Sequence, residues 1–214
     1  MQKSVQDFFN SPDFAANYET KTRKSNWAGP EILFGLAFRN IRAEEKLLDL
    51  GTGTGLCGEL FFRAGLRVYG LDASREMLSV AAAKKFAVEL REHDLSQTPW
   101  PYDDGVMDHA VCGGVLHIFA DPTPIFRETA RILRPGGTFA FSCLEKGEDS
   151  LEPSIEHQGH QIHYHDFPAI KRQLAECGFL LVKALQFSTE AHDRMYHFRA
   201  CVVEKKSGRE EVEP

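Results

Sequence analysis

The apolar run Leu47 to Leu50 breaks into glycines at every second position, Gly51, Gly53 and Gly55, and a helical stretch opens at Leu56. A tight turn needs one or two glycines for its own backbone. Three in alternation, between a strand and a helix, instead let the chain pass close to a ligand and point amide N–H groups at it. Such a turn belongs at the carboxyl end of a strand in a parallel sheet covered by helices.

The rest of the chain keeps that alternation. Strands are expected at 46–51, 67–71, 87–91, 106–112 and 138–144, with helices at 56–64, 74–85, 125–133 and 167–177. Arg134-Pro-Gly-Gly137 is read as the stop after the third of these helices. The last two strands, 180–187 and 195–203, are joined by about seven residues, too few for a parallel crossover, so they should be antiparallel. The expected fold is a Rossmann-like α/β domain, a seven-stranded mixed sheet with helices on both faces. Residues 1–45 read as a helical cap with Ser4 as one N-cap, 46–204 as the core, 145–166 as an aperiodic insert and 205–214 as a polar tail, all in one domain of 214 residues.

Composition narrows the partners. With 43% apolar residues and 16 Phe the chain has material for a full core, and a net charge of −6 argues against a polyanionic partner such as nucleic acid. The first twenty residues lack the apolar centre of a secretory signal, and no apolar run reaches membrane-span length, which predicts a cytoplasmic protein with no membrane partner. Cys57, Cys112, Cys143, Cys177 and Cys201 form no C-x-x-C pair and read as reduced, mostly buried thiols.

The ligand of the glycine loop follows from its neighbours. Asp72 lies 21 residues after Gly51, at the end of the second strand, where an acid grips ribose hydroxyls in dinucleotide sites. Yet the spacing is G-x-G-x-G, and Asp49 just before it would repel a pyrophosphate and attract an ammonium. No Gly-Lys-Ser/Thr follows, so a P-loop is excluded. A ligand with a ribose and a positive charge remains.

Here the chain resembles the class I S-adenosylmethionine-dependent methyltransferases, in their small-molecule branch, over roughly residues 14–204. Asp49-Leu-Gly-Thr-Gly-Thr-Gly55, Gly70-Leu-Asp-Ala-Ser-Arg-Glu-Met-Leu78 and Arg91-Glu-His-Asp-Leu95 are similar to that family's glycine, ribose and adenine motifs. Val106 to Cys112, Leu116-His117, Asp121-Pro122 and Arg131 to Gly137 follow in its order. The resemblance implies S-adenosyl-L-methionine as cofactor. It assigns Gly51, Gly53 and Gly55 to the methionine part, Asp49 to its ammonium through water and Asp72 to the ribose, with Thr52 and Ala73 as further cofactor-binding residues. Asp94, Met77 and Leu95 would meet the adenine, and the backbone from Cys112 through Gly113 to Gly114 the sulfonium.

The acceptor side is less legible. In-line methyl transfer needs alignment above all, with a base only for a protonated nucleophile. His117 is the candidate catalytic base, with a packing or cofactor-lining role as the alternative. The insert carries Glu156, His157, His160, His163 and His165; in a loop this spacing does not fix a metal geometry, so it reads as a substrate lid with no metal, and His163, Tyr164 and His165 as substrate contacts. Tyr18 and Trp27 of the cap are further contacts, by cation–π attraction or as the apolar face of a helix. Cys112-Gly-Gly-Val replaces the Asn/Asp-Pro-Pro-aromatic run of base-amino methylators, so the acceptor is expected to be a small molecule. A non-catalytic cofactor-binding protein and a protein methyltransferase remain the alternatives.

Overall fold

The computed structural model describes residues 9–146, 152–157, 160–191 and 194–207. The proposed Ser4 cap lies outside them, as do residues 208–214 of the tail. The elements are helices α1 (Pro12–Lys24), α2 (Gly29–Ala37), α3 (Leu56–Arg63), α4 (Arg75–Ala83), α5 (Thr123–Ile132) and α6 (Phe167–Glu176). The strands are β1 (Lys46–Leu50), β2 (Arg67–Asp72), β3 (Ala87–Glu92), β4 (Met107–Cys112), β5 (Leu133–Leu144), β6 (Ser154–His157), β7 (His160–His163), β8 (Phe179–Ala191) and β9 (Arg194–Lys205).

Seven strands form one sheet in the order β3-β2-β1-β4-β5-β9-β8. β3, β2, β1, β4 and β5 run parallel, and β9 pairs antiparallel with both β5 and β8, as the short connection required. Alternation along the strands divides the core in two. Leu48, Ala110, Cys112, Phe139 and Phe141 join Trp100, Ile125, Phe126, Ile170 and Leu174 on the α5–α6 face. Leu47, Val111 and Ala140 point the other way, to Leu33, Cys57, Phe61, Ala81 and Phe86 on α2, α3 and α4 and the loop after α4.

Helix starts follow local chemistry. Ser11 caps α1 through Phe14 N at 3.4 Å, Ser74 caps α4 through Met77 N at 3.2 Å, and Asp166 caps α6 through Ala169 N at 3.0 Å. Gly178, at φ +83°, follows the end of α6.

Two expectations need correction. Arg134-Pro-Gly-Gly137 is not a stop after α5, since the chain enters β5 at Leu133. The glycine there serves strand pairing: a Cβ on Gly137 would lie 2.7 Å from the Asp108 carbonyl of β4. The insert is also not aperiodic, because β6 and β7 form an antiparallel hairpin in which Ile155 opposes Ile162. Both isoleucines pack against the Leu144, Tyr196 and Phe198 cluster, a pattern too short to read as alternation.

A candidate cofactor cavity at the switch point

β1 is the strand from which the sheet builds in both directions, to β2 on one side and β4 on the other. At such a switch point the connections leave on opposite faces and open a crevice at the carboxyl ends. A cavity of about 400 Å³ lies there, walled by the turns after β1, β2, β3 and β4 and roofed by Phe9, Tyr18, Trp27 and Pro30. Its volume falls in the range of small-molecule and cofactor sites.

On the β2 side, Asp72 is held by two backbone donors, Gly53 N to Oδ2 at 2.7 Å and Ser74 N to Oδ1 at 2.8 Å. A carboxylate has about four lone-pair sites, so this grip fixes its plane and leaves room for two further hydroxyl donors. Burial raises its pKa above the usual carboxylate value, against the pull of those two N–H groups. Asp94, after β3, is oriented by Ser96 N at 2.9 Å.

Asp49 is buried at the end of β1, on the α2–α3 face that alternation gives it, and accepts from Gly58 N at 2.9 Å. Burial pushes its pKa up to about 7, the Gly58 bond opposing and the Asp72 charge adding to the rise. A cation beside it would be strongly favoured. Burial likewise lifts the Tyr18 hydroxyl to about 12 and raises the Cys57 thiol, so both are neutral.

The three glycines serve different ends. At Gly53, φ is +54° and a Cβ would meet nothing closer than 3.8 Å, so its smallness leaves open space on the cavity side. At Gly55, φ is +91° and a Cβ would fall 2.3 Å from the Phe86 ring, a matter of core packing.

Eleven residues expected at the cofactor lie on the cavity wall: Asp49, Gly51, Thr52, Gly53, Asp72, Ala73, Met77, Asp94, Leu95, Gly113 and Gly114; Tyr18 and Trp27 line it too. Gly55 and Cys112 are not on it. Cys112 points to the α5–α6 core by strand alternation, and burial raises its thiol pKa. His117 is also off the wall, in a 3-10 turn, Leu116–Ile118, with its ring edge-on to Phe198 at 6.3 Å. His163 and Tyr164 are equally absent from the wall. His165 is buried and bonds the Leu116 carbonyl through Nε2 at 3.1 Å, and burial lowers its pKa, so it fastens the insert to the turn after β4. The side chains of His157 and His160 are outside the description; among the described residues no three His, Cys, Asp or Glu converge as metal ligands would.

Sequence reasoning missed Phe9, Thr54, Leu56, Cys57, Ser74, Ser96, Val115, Ile118 and Phe119, all of which line the cavity. Thr54 is notable because its buried hydroxyl has no hydrogen-bond partner. Its position inside the glycine motif was the available signal.

Fold and cavity thus define a Rossmann-like α/β domain whose switch-point cavity carries three acids, Asp49, Asp72 and Asp94. Residues 48–141, from within β1 to within β5, match the family described as the methyltransferase domain, and with the fold around them the chain is similar to the class I S-adenosylmethionine-dependent methyltransferases. It is 36% identical over 103 residues to a malonyl-[acyl-carrier protein] O-methyltransferase of Serratia marcescens, covering 48% of this chain and 40% of that protein. It is 34% identical over 110 residues to a ubiquinone biosynthesis O-methyltransferase of Aeromonas salmonicida, covering 48% and 44%. The matched stretch thus spans less than half the length of these relatives. Two solved structures share the fold. One is the putative methyltransferase in a complex with the Haloferax volcanii Trm112 methyltransferase activator, at TM-score 0.78 and 22% identity, covering 97% of this chain and 100% of that one. The other is magnesium protoporphyrin IX methyltransferase from Synechocystis with bound SAH, at 0.71 and 19%, covering 94% and 98%.

Proposed function

We propose that the chain binds S-adenosyl-L-methionine in this cavity and transfers its methyl group to a small molecule by in-line displacement. The observation that carries the reading is the Asp72 carboxylate, locked by Gly53 and Ser74 beside a glycine turn that leaves the cavity open. In this reading Asp72 accepts the two ribose hydroxyls, and Asp94 accepts from the adenine amino group while Met77 and Leu95 flank the ring. Asp49 draws the ammonium group, and Gly113 lies against the sulfonium. When bound, the cofactor supplies an electrophilic methyl, and the protein's part is to align the acceptor's lone pair with it and to exclude water. His117, off the wall, is assigned to packing the turn after β4 against Phe198 and not to proton transfer. His163, Tyr164 and His165 are assigned to anchoring the insert.

The test is binding followed by turnover. S-adenosylhomocysteine at a hundredfold excess over its Kd should stabilise the protein by about 2.7 kcal/mol, readable as a rise in Tm. Asp72→Ala should weaken that binding by about 2–3 kcal/mol, the scale of lost charge-assisted hydrogen bonds. Unchanged affinity would sink the ribose assignment. Label transferred from methyl-labelled cofactor to a metabolite extract separates an enzyme from a binding protein, and label in polypeptide would favour a protein acceptor.

A further inference from the structure

The cavity crosses four strand ends, β3 to β4, a distance of roughly 14 Å at about 4.8 Å per strand. Its acidic side chains sit at the carboxyl ends of three neighbouring strands: Asp49 within β1, Asp72 as the last residue of β2 and Asp94 just after β3. At the β4 end the wall changes character, to Trp27, Pro30, Gly114, Val115, Ile118 and Phe119.

Trp27 is set there by the backbone. A Cβ on Gly29 would lie 2.3 Å from its Cζ2 and one on Gly114 3.2 Å, so both positions leave the indole its space. Phe198 closes on it edge-on at 4.7 Å between ring centroids, and Phe187 at 5.6 Å. The indole is therefore a fixed plate beside Gly114, at the end of the backbone assigned to the sulfonium.

Resting on the proposed function, we propose that this end is the acceptor subsite, and that it takes a neutral, flat, apolar molecule stacked on or edged against Trp27. Aromatic surfaces favour such partners in offset or edge-on geometry. An anionic acceptor would lose its hydration against these apolar walls, with no Lys, Arg or His among the described lining residues to replace it. This makes Trp27 the residue that selects for shape, and the lack of a cationic side chain among the described lining residues the feature that selects against anions.

The experiment compares 2-naphthol with 2-naphthoate, similar in ring shape but the first neutral and the second anionic at neutral pH, by calorimetry on protein saturated with S-adenosylhomocysteine. 2-Naphthol should bind at least tenfold more tightly than 2-naphthoate. Trp27→Ala should weaken 2-naphthol at least tenfold while S-adenosylhomocysteine affinity moves less than threefold; if that variant fails to fold, Trp27→Leu, which keeps most of the volume, should show the same direction. Equal or tighter binding of 2-naphthoate, or 2-naphthol binding indifferent to both substitutions, would overturn the proposal. If S-adenosylhomocysteine itself does not bind, the cofactor reading fails, and the same pair titrated on the ligand-free protein still decides the subsite.

Discussion

The two walls of the cavity are built by different means. The wall on the sheet side is held by backbone: Asp72 by Gly53 and Ser74 N–H groups, Asp49 by Gly58 N, and the glycine turn by Leu71, whose carbonyl accepts from both Gly51 and Thr52 at 2.8 and 3.0 Å. The roof, α1 and the chain to Trp27, is held by side chains. Only Ala15 of α1 is buried, and the helix meets the core through Tyr18, the Ser74 hydroxyl bond to the Phe9 carbonyl at 2.7 Å, and an ion pair from Glu19 to Lys84. Backbone bonds at strand ends tolerate no local opening without unravelling the turn, whereas a helix with one buried residue can lift at small cost. The sheet side should therefore carry stability and affinity, and the roof exchange.

The sharpest way to break that contrast is Gly55→Ala. The new methyl would sit 2.3 Å from Phe86, whose ring is buried, in a backbone conformation that side chains rarely adopt. Overpacking and a left-handed non-glycine residue together should cost about 3 kcal/mol, read as a fall in the urea midpoint. A loss under 0.5 kcal/mol would show the turn to be as yielding as the roof.

Asp49 gives a titratable version of the same claim. Its pKa is raised from 3.8 to about 7, so the folded, ligand-free protein holds this proton more tightly than the unfolded chain does. The stability it contributes is complete below about pH 4 and is lost as pH rises to about 7, at no more than about 1.4 kcal/mol per pH unit. A bound ammonium reverses the preference by favouring the carboxylate. S-adenosylhomocysteine affinity should hence fall by up to tenfold per unit as pH drops below about 7, and level off above it; a flat profile from pH 5.5 to 8.5, measured by calorimetry, would contradict the placement of charge at Asp49.

What was legible in the sequence follows the same division. The sheet-side wall is written in local signals, a strand that ends in glycines and acids at strand ends, because backbone geometry there is set by neighbours in sequence. At Cys112 a motif names a position and not a face: alternation along β4 sends its side chain to the α5–α6 core and leaves Gly113 at the cavity. The surroundings of His117 and His165 were not legible for a related reason. Their places depend on partners far along the chain, Phe198 for the first and the Leu116 carbonyl for the second, and no local pattern encodes such pairs. The roof residue Phe9 and the β6–β7 hairpin were invisible for want of any periodicity long enough to register.

The smallest effect should come from the roof. Lys84 of the turn after α4 reaches both Glu19 on α1 and, at 3.3 Å, Glu59 on α3, with all three side chains about a quarter exposed. Such a pair contributes about 0–1 kcal/mol and weakens with salt. Lys84→Met keeps the aliphatic stem over the helices and removes the charge, leaving Glu19 and Glu59 to repel each other. The urea midpoint should then move by less than that of Gly55→Ala, while release of S-adenosylhomocysteine, followed by stopped flow, should speed up about two- to fivefold, the kinetic equivalent of under 1 kcal/mol. The decisive comparison is salt: release from the unmodified protein should accelerate between 50 and 500 mM NaCl, and release from Lys84→Met should change less. If both respond alike, the ion pair does not hold the roof, and closure rests on Phe9, Tyr18 and Trp27 alone.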